Sequence, residues 1–179
     1  MTSEIIPVSQ HIELRAVDER YTAELHDLVV KNKARLQTAF DWAQHVGSEE
    51  DTRRNVQSNH MLHQRGYAKM FLIFQDDRLA GVLSFNAIEP ANKTGYIGYW
   101  LDEGHQGKGT MSQALQAFMR HYVALGTVRR FVIKCRVDNH SSNSVALRNG
   151  FTLEGCLREA EYLNGRYDDV NLYARLFPL

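Results

Sequence analysis

Along the chain, short apolar or alternating runs are interleaved with stretches where apolar residues recur every three or four positions, and the two periods mark strands and helices. Ile12 to Ala16 reads as a short strand. From Asp18, a cap, the residues Tyr21, Leu25, Leu28 and Val29 keep helical spacing. A second helix is predicted from Ser48, whose hydroxyl precedes the acidic residues Glu49, Glu50 and Asp51, and Gly66 stops it. Tyr67 to Phe74 and Leu79 to Ile88 form an antiparallel hairpin through the polar turn Gln75-Asp76-Asp77-Arg78, and Tyr96 to Leu101 is a third strand. Met111, Leu115, Phe118, Met119 and Tyr122 place a helix over about 109–125, closed by Gly126. A strand from Phe131 to Val137 and a short helix over about 140–149 with Gly150 behind it come next. Two strand runs around Asn164-Gly165 complete the pattern. A strand, helix, strand crossing over 96–137 requires a parallel pair inside a mixed α/β (α+β) sheet.

Three prolines, Pro7, Pro90 and Pro178, and the lack of a Ser/Gly-rich or like-charge tract mark no linker, so 1–179 is expected to be one domain. Lys plus Arg equals Asp plus Glu at 21 each, which leaves no global field to gather phosphates and argues against nucleic acid as the main ligand. The longest apolar run, Met70 to Phe74, is too short to cross a membrane, and the polar start Met1-Thr2-Ser3-Glu4 has no leader pattern; a cytoplasmic, uncleaved chain is expected. Cys135 and Cys156 match no metal-ligand spacing and are expected as buried reduced thiols. His60 and His63 share a helical face without a third ligand, so a solvated face is expected and no metal. Lys31, Lys33 and Arg35, after the first helix, are candidates to meet an acidic protein substrate. Arg129, Arg130, Lys134 and Arg136 read as a charged strand surface.

Between the third strand and the long helix lies Gln106-Gly107-Lys108-Gly109-Thr110-Met111. Unpaired amides at the start of a helix, with its dipole, make an anion site suited to a pyrophosphate; the competing reading is a merely tight turn. Neither the Walker spacing nor the Rossmann glycine pattern fits.

What remains resembles the Q/R-x-x-G-x-G/A signature of the GNAT acetyltransferase superfamily, with Met111 departing from the small residue at the last position. The likeness continues through Asn139-His140-Ser141-Ser142, Val145 and Gly150-Phe151. Further on, Glu154 to Arg158, Gly165, Asp169 and Tyr173 are similar to the C-terminal pattern of bacterial ribosomal-protein N-terminal acetyltransferases, in particular those acting on serine. The resemblance implies acetyl-CoA as donor and the GNAT acyl-CoA N-acyltransferase fold, a predominantly antiparallel sheet flanked by helices whose central parallel strands, here 96–101 and 131–137, splay apart. It also implies the amino-terminal serine of the large-subunit stalk protein as acceptor, and, by analogy, a homodimer. Backbone amides of Gln106, Gly107, Lys108, Gly109, Thr110 and Met111 would face the pyrophosphate, with Lys108 as a nearby cation. Asn139 would contact the pantetheine arm, and an amide of the strand Tyr99 to Leu101 would serve the oxyanion.

Acetyl transfer needs a neutral amine, and an N-terminal amine with a pKa near 8 is already about one-tenth neutral at pH 7, so a weak base suffices. Glu159 and Glu161 share a strand face by period two. Glu161 is chosen as the base because it lies nearer the turn between Ala160 and Tyr162; solvated edge charges are the alternative. Many GNAT proteins protonate the departing thiolate with a tyrosine at the position of Ala146. Ser142, one turn earlier, is the candidate acid, against the reading that it only caps the helix. Cys135, without a histidine partner, is not taken as a nucleophile, so direct attack in a ternary complex is expected. Two alternatives stand beside this reading: acetylation of a small-molecule amine on the same fold, and, in another class, non-catalytic acyl-CoA binding.

Overall fold

The computed structural model describes residues 4–178, so the polar start at 1–3 lies outside the described residues. Its strands are β1 (Ile5–Pro7), β2 (Ile12–Ala16), β3 (Lys69–Gln75), β4 (Arg78–Glu89), β5 (Thr94–Leu101), β6 (Arg130–Arg136), β7 (Thr152–Leu163) and β8 (Arg166–Leu176). The helices are α1 (Thr22–Leu36), α2 (Asp41–Gln44), α3 (Glu49–Arg65), α4 (Thr110–Leu125) and α5 (His140–Arg148). The strands form one sheet in the order β1-β2-β3-β4-β5-β6-β8-β7, antiparallel except for the β5/β6 pair. Among the described residues, no helix is long and apolar enough to cross a membrane.

The uninterrupted apolar run of β3 has a structural cause. Phe71 and Ile73 are buried under α4, while the alternate residues Leu72 and Phe74 are buried with Leu25 and Val29 of α1, so both faces of the sheet are covered. On the α4 side, Phe118 sits at the centre, with ring centroids 5.8 Å from Phe71 and 4.5 Å from Phe85. Such aromatic burial stabilises by about 3 kcal/mol per side chain.

The expected helix ends are present. Ser48 and Asp51 form a reciprocal capping box at α3, and Gly66 closes that helix in the left-handed conformation. The helix expected from Asp18 begins with a 3-10 turn, Glu19–Tyr21, capped by the Asp18 carboxylate. β1 and α2 escaped the pattern because three or four residues carry no readable period.

Several surface expectations are corrected. His63 is buried: its Nδ1 accepts from the Met70 N–H at 3.1 Å, so Nε2 carries the hydrogen that faces Glu4 Oε1 at 3.1 Å. His60 lies 3.1 Å from the Val17 carbonyl. These two histidines fasten α3 to the sheet and are no solvated pair. Lys31, Lys33 and Arg35 are likewise turned to the protein itself, engaging Asp102, the Val46 carbonyl and the Leu101 carbonyl respectively. Cys135 is buried as expected, whereas Cys156 on the edge strand β7 is exposed.

Candidate active site

The parallel pair carries the central geometric fact. β5 and β6 are in register from Thr94↔Arg130 to Ile97↔Ile133 and then part, although β5 stays on β4 as far as Leu101 and β6 stays on β8 as far as Arg136. A slot therefore opens between Gly98–Leu101 and Lys134–Arg136. The Asp102 N–H bonds the Ala80 carbonyl on the β4 side, so by the period of two the amides of Tyr99 and Leu101 point the other way, toward the strand that has withdrawn. The side chain of Leu101 is in the core and its carbonyl is held by Arg35 at 2.5 Å.

A buried carboxylate fixes the loop beyond β5. Asp102 accepts from Asn32 at 2.9 Å and pairs with Lys31 at 3.1 Å and His105 at 3.0 Å. Burial raises its pKa, but the bonds from Asn32, His105 and Lys31 outweigh burial and bring it to about 2. Sequence reading missed this anchor, for which the lone Asp after an apolar strand was the available signal.

The glycine turn follows. Gly107 and Gly109 both have φ of +76°, a region where side-chain-bearing residues are strained, and Gly109 starts α4 with no side chain capping it. The first amides of a 16-residue helix are thus presented to solvent beside exposed Gln106 and Lys108. Thr110 and Met111 contribute backbone alone: Thr110 Oγ1 donates to Gln75 at 3.0 Å, and the Met111 side chain is packed in the core. The unusual methionine is therefore turned away from the amides it would otherwise crowd.

Across the slot, beyond the end of β6, Asn139 caps α5, its Oδ1 accepting from the Ser142 N–H and the Ser141 hydroxyl, both at 3.3 Å. Capping thus falls to Asn139, and the Ser142 hydroxyl is spent elsewhere. Ser142 Oγ lies 2.9 Å from the Tyr99 hydroxyl, which also reaches the Ser142 carbonyl at 3.1 Å. Burial raises Tyr99 to about 12, so it is a neutral hydrogen-bond donor at pH 7. Tyr99 brings a phenol from β5 to the region where Ala146 offers none; only the fold makes that visible. Burial also pushes the Cys135 thiol up, with the Glu161 charge adding to it.

Glu161 reaches the same region by an irregular path. On β7, Leu157↔Val170 is followed by Glu161↔Asp168, which sets the three residues between them against Asp169 alone, and Glu159 takes φ of +47° with its N–H on Asp169. Strict alternation is lost there, which corrects the expectation that Glu159 and Glu161 share a face by period two. Glu159 is exposed, while Glu161 Oε1 stands 3.8 Å from the Arg136 guanidinium. Arg136 itself is buried and paired with Asp168, not part of a charged strand surface. Among the described residues, no group of three or more His, Cys, Asp or Glu side chains is placed to hold a metal ion.

Residues 11–152 match the family model described as acetyltransferase (GNAT) domain. The ribosomal-protein-serine acetyltransferase of Escherichia coli is 64% identical over 174 residues, covering 97% of each chain. A solved structure of a ribosomal L7/L12 alpha-N-protein acetyltransferase in complex with coenzyme A, joined to one of its own cysteines by a disulfide, superposes with a TM-score of 0.95 at 66% identity over 97% of this chain and 98% of that one. A microcin C7 self-immunity acetyltransferase in complex with acetyl-CoA and AMP gives a TM-score of 0.93 at 40% identity, covering 95% and 94%. With an eight-stranded mixed sheet that splays at its one parallel pair above a glycine turn, and a family model spanning most of its length, the chain belongs to the GNAT acetyltransferase family.

Proposed function

We propose that the chain, acting as one domain, is an N-alpha-acetyltransferase that moves acetyl from acetyl-CoA to the N-terminal serine amine of the ribosomal stalk protein L7/L12. The parting of β5 from β6 beyond Ile97 carries this reading, since it supplies a slot with the uncapped start of α4 beyond one wall and α5 with its hydroxyl donors beyond the other. The 64% identity to the serine acetyltransferase supports the acceptor. Amides of Gln106 to Met111 hold the diphosphate, Lys108 adds a cation, and Asn139 meets the pantetheine arm. The amine attacks the thioester carbon, forming an N–C bond as the C–S bond breaks. Glu161 takes the amine proton, amides of Tyr99 and Leu101 receive the developing oxyanion, and Ser142, hydrogen-bonded to Tyr99, gives its proton to the departing sulfur.

A cytoplasmic homodimer belongs to the same proposal, supported by the edge strand β7, which exposes Leu153, Leu157 and Tyr162. Intact-mass analysis of stalk protein incubated with the enzyme and acetyl-CoA tests the function. A gain of one acetyl group at the first residue is expected. Turnover with small amines alone, or acyl-CoA binding without any turnover, would refute it.

A further inference from the structure

A cavity of about 360 Å³ lies among α1, α3 and the parted half of β5, and its walls differ in character. One is aromatic: Phe40 stacks on Trp42 with centroids 5.8 Å apart, and Trp42 tilts against Trp100 at 6.3 Å. The other is hydrogen-bonding and uncharged, made by Asn55 and Asn59 of α3 with Ser84 and Asn86 of β4. No residue lining the cavity is charged. Gly98, Tyr99 and Trp100, the stretch of β5 that has parted from β6, line it as well, so the cavity borders the slot.

Asn86 is set there by construction. It is the extra residue of a bulge, since Phe85↔Ile97 is followed by Ala87↔Tyr96, and a bulge re-aims the side chain it carries. Ser84 Oγ donates to its Oδ1 at 2.9 Å. Gly98 lies beneath: a Cβ there would stand 2.6 Å from Asn86 Nδ2, so glycine is what leaves the carboxamide its place. The Asn86 bond uses only the carbonyl oxygen, which leaves its NH2 for a ligand, while Asn59 spends its NH2 on Asn55 and keeps its own oxygen free. A hydroxyl both accepts and donates, and this wall offers both partners. An additional ammonium group would meet aromatic rings and neutral amides with no carboxylate to offset its lost hydration.

We infer that this wall reads the first side chain of the acceptor, with Asn86 as a specificity-determining residue for a small hydroxyl, and that the same uncharged lining turns polycationic amines away. The inference rests on the acceptor reading above and deepens it. The test compares kcat/KM for two stalk-derived peptides, one beginning with Ser and the other with Ala, and for spermidine, across wild type, Asn86→Ala, Gly98→Ala and Asn86→Asp. The wild type is expected to favour the Ser peptide by at least about fivefold, the worth of one neutral hydrogen bond. Asn86→Ala should bring that ratio close to one, Gly98→Ala should do the same by displacing the intact carboxamide, and Asn86→Asp should raise the rate with spermidine. A Ser/Ala ratio that survives in both alanine variants overturns the inference alone; a wild type inactive on both peptides overturns the acceptor reading and this inference with it.

Discussion

Gly109→Ala separates the anion cradle from ordinary backbone strain, provided that Gly66→Ala is measured beside it. The two glycines have nearly the same left-handed φ, +76° and +78°. A Cβ meets nothing within 4 Å at Gly66 and only the Gln113 amide at 3.8 Å at Gly109, so neither substitution creates a clash. Each should therefore pay the same conformational penalty of about 1–2 kcal/mol. For a chain of this length that lowers Tm by about 2–8 °C. Ligand affinity is where they should part. Gly66 closes α3, away from the turn, whereas a methyl group at Gly109 stands among the amides that would donate to the diphosphate, and a hydrogen bond to a charged group contributes about 1.5–3 kcal/mol. Calorimetric titration with coenzyme A should then show Kd raised about tenfold to a hundredfold for Gly109→Ala and unchanged for Gly66→Ala, alongside matched melting shifts. Equal affinity in the two variants would refute the placing of the diphosphate at residues 106–111.

Ser142→Ala should lower kcat with little change in coenzyme affinity or Tm, because Asn139 does the capping; a fall in Tm with kcat intact would return Ser142 to a structural role. Glu161→Gln should reduce kcat/KM about a hundredfold at pH 7 and progressively less above pH 8, where the acceptor amine is already neutral, and a pH profile parallel to wild type would remove Glu161 as the base. Asp102→Ala strips Asn32 and Lys31 of their shared partner and should destabilise by about 1–3 kcal/mol at pH 7. Since the folded pKa of Asp102, about 2, lies below its ordinary 3.8, its stabilisation is whole above pH 4 and is lost as pH falls toward 2. The Tm gap between wild type and Asp102→Ala should close over that range, and a constant gap would contradict the pairing described.

Helix ends and strand runs were legible because they depend on near neighbours. Ser48 with Asp51, Gly66, and the glycines on either side of α4 satisfy or release backbone groups within a few residues, and the apolar run in β3 reports burial on both faces. The glycine turn was equally local, and so was its likeness to a family signature. Features lost to the sequence are those where distant positions meet or where a strand breaks its own period. The hydroxyls of Tyr99 and Ser142 touch across 43 positions, Arg136 is buried against Asp168 across 32, and the bulges at Asn86 and Glu159 displace the side chains that follow them.

By itself, then, the sequence determined which segments are helix or strand, that a parallel pair exists, and which turn carries free amides. The tertiary structure alone decided that β5 and β6 part beyond Ile97, that a phenol from one strand meets a serine from α5, and that an uncharged cavity lies beside them. The physical reason is range: periodicity and capping act over four residues or fewer, whereas the slot and its donors arise from packing between elements that approach only once the sheet has formed.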